Sequence, residues 1–204
     1  MDTLLPLGEY RYETRRYGDL LTVEETVFAG DAIRGVRRSA DGVNSLEVAA
    51  TLDAEGTIQQ VKISYSRGFF RRNAAYQTDD ETLRGSISAL AGRNEILVKL
   101  GRFREINAEL VLFRALLIAR VRMRGGTMRW TGRVAVIDAS TLVAAPLKQS
   151  CRAEDDTLLR WIYELRMGDT EAIALDQEGR LVERRASDGT VSKLVAFTPA
   201  NISN

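Results

Sequence analysis

The sequence predicts a mainly β protein: one highly curved antiparallel sheet, a β-roll or open barrel, wrapped around a single central α-helix, with residues 1–204 forming one domain. Four observations lead there. The phrase Leu52-Asp53-Ala54-Glu55-Gly56 returns as Leu175-Asp176-Gln177-Glu178-Gly179, each time followed by alternating apolar and polar residues. Further Asp-Gly pairs stand at Asp41-Gly42 and Asp188-Gly189, and such pairs between alternating segments mark β-hairpins. The hydrophobic period changes to a helical one across about 106–121, where Ile106, Leu110, Phe113, Leu117 and Val121 fall on one face. Finally, the chain has only three prolines and no Pro/Gly/Ser-rich linker, so nothing divides it.

Taken in order, residues 9–17 and 20–28 alternate as strands, Gly30-Asp31 punctuates, and 33–38 alternates again. Ser39 to Gly42 turns the chain into 46–52, and the first copy of the phrase turns that strand into 58–65, with Ile58, Val61, Ile63 and Tyr65 pointing inward. Shorter strands follow at 74–77, 82–87 and 96–100, separated by turns at Thr78-Asp79-Asp80 and Gly92-Arg93-Asn94. The helix comes next, with Asn107 placed as its N-cap, Glu109 in its first turn and Gly125-Gly126 as its stop. Met128, Trp130, Val134, Val136, Leu142 and Val143 suggest strands, with a bulge at Gly132. Trp161, Tyr163, Leu165 and Met167 alternate cleanly, the second phrase joins 172–175 to 181–185, and Asp188-Gly189 returns the chain through 191–195 to a frayed tail at 199–204.

The antiparallel meander, the apolar midpoint helix and the closing Trp161-Ile162-Tyr163-Glu164-Leu165 strand leading into the second phrase resemble the bacterial spiral β-roll proteins. These include a proposed glycolipid-binding family and related lipoprotein-like domains. The likeness covers the order of elements over most of the chain, and at residue level it rests on 161–189. It implies a sheet rolled around a helix and, in some members, binding of an amphipathic lipid. It places no catalytic motif on particular positions, and the lipoprotein members carry an export signal that this sequence lacks.

Composition excludes much chemistry. There is no histidine, which removes Ser-His-Asp and Cys-His arrangements and the commonest transition-metal ligand. The single Cys151 cannot form an internal disulfide, which fits a reducing compartment. No Gly-rich phosphate loop is present. The acidic runs Glu154-Asp155-Asp156 and Asp79-Asp80-Glu81 read as solvated turns, so neither a metal nor a cofactor is expected. Met1–Leu7 lacks the features of a signal peptide, and the longest apolar stretch, 110–119, contains Arg114 and falls short of the ~20 residues that span a bilayer. The expectation is a soluble cytoplasmic protein with no transmembrane segment.

The net charge of +1 hides a basic middle: residues 67–137 carry 14 Lys and Arg against 6 Asp and Glu. Arg67-Gly68-Phe69-Phe70-Arg71-Arg72 sets cations around two aromatics, suited to an anionic lipid or a single-stranded nucleic acid, or else to a plain hairpin with core phenylalanines and wet arginines. Arg114, Arg120, Arg122, Arg124, Arg129 and Arg133 lie along and after the helix. A helix that plugs a roll would make some of these side chains snorkel to its rim. The leading expectation is a noncatalytic bacterial protein that holds an apolar or amphipathic small molecule, lipid or glycolipid-like, inside the roll. Its expected contacts are Arg67, Phe69, Phe70, Arg71, Phe113, Arg114, Arg120, Trp130, Trp161 and Tyr163. Two other classes stay open. One binds nucleic acid or an anionic surface through 67–133, against which the near-zero net charge and the lack of a nucleic-acid motif count. The other is a histidine-free isomerase, cyclase or hydratase using a buried carboxylate, with Glu13, Glu24, Glu47 and Glu164 as candidates.

Overall fold

The computed structural model describes residues 4–79, 81–89, 92–101, 105–123, 128–166 and 168–200. Strands β1 (Gly8–Arg16), β2 (Asp19–Phe28), β3 (Ala32–Ser39), β4 (Asn44–Leu52), β5 (Ile58–Arg67), β6 (Phe70–Asp79), β7 (Thr82–Ala89) and β8 (Gly92–Lys99) form one continuous meander. A short β9 (Glu105–Asn107), the helix α1 (Val111–Met123) and a second meander follow. The latter comprises β10 (Arg129–Ile137), β11 (Ala144–Ala153), β12 (Arg160–Arg166), β13 (Asp169–Leu175), β14 (Leu181–Ala186) and β15 (Thr190–Pro199). β15 pairs with β1, which joins the meanders into a single 15-stranded sheet that is not closed, with β8 and β9 at its edges.

The two copies of the repeated phrase fold into the same turn. Gly56 N–H donates to the Asp53 carbonyl at 2.9 Å, and Gly179 N–H donates to that of Asp176 at 3.0 Å. The Asp53 carboxylate accepts the amide of Thr57 and the Asp176 carboxylate accepts that of Arg180, each at 2.8 Å. Both glycines are left-handed, at φ 75° and 82°, a conformation that costs them no clash because they have no Cβ.

The middle of the chain departs from expectation in three places. Residues 105–107 are not the first turn of the helix. They form β9, which pairs in parallel with β10, whereas every other strand pairing is antiparallel. A parallel pair needs a crossover of about a dozen residues, and α1 supplies it. Asn107 does not cap the helix, since its Oδ1 accepts the amide of Glu109, whose φ of 60° breaks the chain direction before Val111. Gly132 is not a bulge: β10 and β11 run in unbroken register past it. A Cβ there would lie 2.4 Å from Cζ2 of Trp130, so the glycine is required for the indole to fold flat onto the strand. β11 itself has no clean alternation and contains Pro146, which is tolerated because β12 pairs with β11 only from Ser150 onward. Arg124, the expected stop at Gly125-Gly126, Asp80, Met167 and residues 201–204 lie outside the described residues.

Val111 to Val121 are all buried, including the face opposite the predicted apolar stripe. A helix apolar nearly all round must be enclosed, and each fully buried Leu or Ile adds roughly 1.5–3 kcal/mol. The sheet is not flat. Tyr76 on β6 donates its hydroxyl to the carbonyl of Leu142, between β10 and β11, at 2.6 Å. In a flat sheet about ten strand spacings, roughly 48 Å, would separate them.

Candidate functional site

Six of the ten expected contacts lie in the core: Phe113, Arg114, Arg120, Trp130, Trp161 and Tyr163. Strand register places Trp130, Cys151, Tyr163 and Glu171 side by side across β10 to β13. Arg114 reaches this row from α1. Its Nε donates to Glu171 at 3.0 Å and its guanidinium lies 4.8 Å from the centre of the Tyr163 ring. The Tyr163 hydroxyl donates to Gln149 at 2.5 Å, and burial pushes its ionisation above the ordinary phenol range. Burial also pushes the Cys151 thiol up to about 12, with the Glu105 charge adding to the effect, so this thiol is inert as a nucleophile.

The expected cationic rim is not built from Arg114 and Arg120. Neither side chain snorkels to solvent. Arg120 donates to Glu105 at 2.7 Å and to Thr57 at 3.0 Å, and both arginines are more than nine-tenths buried. In a low-dielectric interior a guanidinium is held by a carboxylate close at hand, and Glu105 and Glu171 lie within reach on the enclosing strands. Of the more distal arginines, Arg129 and Arg133 are exposed and Arg122 is half-buried.

Glu24 alone among the four candidate carboxylates is buried, and burial raises its pKa from 4.5 against the pull of the Val111 amide and Arg37. Both its oxygens accept the Val111 N–H, and Thr26 donates to it at 3.2 Å. It is therefore engaged as the cap of α1. Glu13, Glu47 and Glu164 are half-buried or exposed on the sheet. Asp155 accepts the Thr157 amide within its own turn.

Three concavities stand out among the described residues, and none of them is lined by a residue of α1. The largest of these, about 1000 Å³, lies on the outward face of the sheet. Register explains how it is built. One transverse row of outward side chains runs Glu9, Val27, Arg34, Ala49, Lys62, Ala75 and Ser86 from β1 to β7. The adjacent row runs Arg11, Glu25, Val36, Glu47, Ser64, Asn73 and Ser88. Alanines and serines over β4 to β7 keep the floor low while longer side chains stand beside it. Arg11 and Arg38 both engage Glu25, at 3.9 and 3.2 Å. Arg34 and Lys62, on either side of Ala49, have no ion-pair partner among the described residues. Sequence reasoning missed this groove because each strand contributes two unremarkable outward residues, and only lateral register gathers them.

The other four expected contacts, Arg67, Phe69, Phe70 and Arg71, sit on the exposed β5–β6 hairpin, away from the buried six. Phe69 and Arg71 border a shallow hollow of about 290 Å³ that shares Asn73 and Ser88 with the groove. The groove thus runs out beside this hairpin.

Among solved structures, the chain is similar to a DUF1089 family protein of Pseudomonas aeruginosa, with 16% identity, 82% of this chain and 90% of that chain covered, and a TM-score of 0.61. The likeness is one of fold alone. It supports a β-rich fold and carries nothing on the glycolipid-binding families that the sequence resembles. No family model and no curated protein matches the chain. No helix among the described residues is long and apolar enough to cross a membrane.

Proposed function

We propose that this chain is a noncatalytic binding protein for an amphipathic small molecule, lipid or glycolipid-like, and that the outward groove is its site. The sheet is a roll with α1 as its plug, a reading supported by the burial of Val111 to Val121 and by the Tyr76–Leu142 bridge. α1 is held on the inward side by two internal ion pairs and a capping carboxylate, which favours the outward side for a ligand. The observation that carries the proposal is the groove itself. Its volume suits a lipid-sized molecule. Its floor of Val27, Val36, Ala49 and Ala75 offers an apolar track, and Arg34 and Lys62, without an ion-pair partner among the described residues, offer cations to a polar head. Buried hydrocarbon contributes roughly 0.8 kcal/mol per methylene, while the head keeps charged and hydroxyl partners.

The test uses 11-(dansylamino)undecanoic acid as a probe. Saturable fluorescence enhancement with the full chain, weakened at least about tenfold by filling the floor with Ala75→Trp, is the expected result. An absence of binding, or an Ala75→Trp variant that binds as the parent does, removes the proposal.

A further inference from the structure

The hairpin at the end of the groove has properties that the groove does not need. β5 and β6 turn through Gly68, at φ 56°, and Phe69, which is fully exposed at 109%. Gly68 N–H donates to the carbonyl of Val43 at 3.2 Å, so the β3–β4 turn abuts this one. Arg72 donates to the carbonyl of Ser140 at 3.0 Å and so ties in the β10–β11 turn. Phe69 stands fully exposed, and Val43, Val143 and the neighbouring Phe70 are partly exposed around it. Arg67 and Arg71 flank the aromatics, exposed and without an ion-pair partner among the described residues. Two acids stand on the neighbouring turns, each held by its own turn: Asp41, whose charge also acts on Arg67, accepts the amide of Val43, and Asp138 accepts those of Ser140 and Thr141.

We propose that this end of the molecule docks on an anionic lipid bilayer, with Phe69 entering the interface and Arg67 and Arg71 facing the lipid phosphates. Exposed apolar residues ringed by cations are the combination an anionic membrane surface rewards, since hydrocarbon burial and charge attraction act together. A single-stranded nucleic acid fits less well. One face of Phe70 is covered by Arg72 at 4.8 Å, and Val43 and Val143 offer no ring on which a base can stack. Docking in this pose brings the end of the groove marked by Asn73 and Ser88 to the membrane surface. The inference stands on the hairpin and does not require the groove to be occupied.

Flotation of the full chain with vesicles of phosphatidylcholine, and of phosphatidylcholine mixed with phosphatidylglycerol, tests it. The protein is expected to float with the mixed vesicles at low salt and not with the neutral ones. Phe69→Ser lowers the partition coefficient roughly tenfold, and Arg67→Gln/Arg71→Gln lowers it by about the same factor or more and flattens the salt dependence. Both sets of side chains are exposed, so the urea midpoints stay at the parent value. Failure to float with anionic vesicles overturns the proposal, as does a Phe69→Ser variant that floats like the parent. Retention by a single-stranded oligonucleotide without any vesicle binding overturns it in favour of nucleic acid.

Discussion

The carboxylate of Glu24 on β2 accepts the backbone N–H of Val111, the first residue of α1, with both oxygens at 3.0 Å. A strand 87 residues away in sequence thus caps the only helix among the described residues. The first turn of that helix has no acidic residue of its own, so the carboxylate from the sheet satisfies an orphan amide and complements the positive end of the helix dipole.

Burial holds the Glu24 carboxyl above its ordinary value of 4.5. A carboxyl whose pKa rises on folding lends stability that is fully present below the unfolded value and is lost as pH rises through the folded value. Glu24→Gln keeps an acceptor for Val111 but cannot ionise. Its stability relative to the parent is therefore expected to increase as pH is raised from 4.5 toward neutrality. Glu24→Ala, which removes the acceptor, is expected to lose about 1–3 kcal/mol near neutral pH. Urea unfolding across this pH range checks both, and a Gln-minus-parent difference that does not change with pH contradicts the assignment.

Arg120 and Glu105 form the second link between helix and sheet, at 2.7 Å with both partners almost fully buried. Arg120→Met removes one buried partner of the Glu105 carboxylate, and a loss of about 1–3 kcal/mol is expected. In Arg120→Met/Glu105→Gln the loss is expected to be smaller than the sum of the two single-variant losses, because the two side chains act on each other. A double-mutant cycle by denaturant unfolding measures the coupling, and single-mutant losses that simply add show that the pair is not coupled.

Gly132 sits under the Trp130 indole with an ordinary, non-left-handed backbone, so alanine there meets a steric obstacle and no backbone one. Gly132→Ala is expected to cost about 1–3 kcal/mol and to lift Trp130 off the strand. Intrinsic fluorescence, red-shifted in the folded variant, reports the displacement. Unchanged emission and stability show that the strand accommodates a methyl group.

Much of the strand pattern was legible because it is local. Tyr10 and Tyr12 on β1 alternate with polar neighbours, Trp161 and Tyr163 on β12 alternate with less buried ones, and the Asp-Gly turns fix where the chain reverses. Residues 105–110 misled because Ile106 and Leu110 fit a helical stripe equally well when the first lies in a parallel strand and the second follows a left-handed Glu109. Phe69 and Phe70 read equally well as core or as surface, because adjacency to arginine does not say which way a hairpin tip points. The partners of Arg114 and Arg120 had no local signal at all: Glu171 lies 57 residues and Glu105 15 residues from its arginine.

By itself the sequence determined a β-rich chain of hairpins with one apolar helix near its middle, and it ruled out histidine chemistry, because composition, side-chain alternation and turn residues act over a few neighbouring positions. Tertiary structure alone decided that the helix side is packed and internally paired, and that a groove crosses the outward face from β1 to β7. The physical reason is lateral register. Which outward side chains become neighbours depends on how hydrogen bonds align strands that are far apart along the chain.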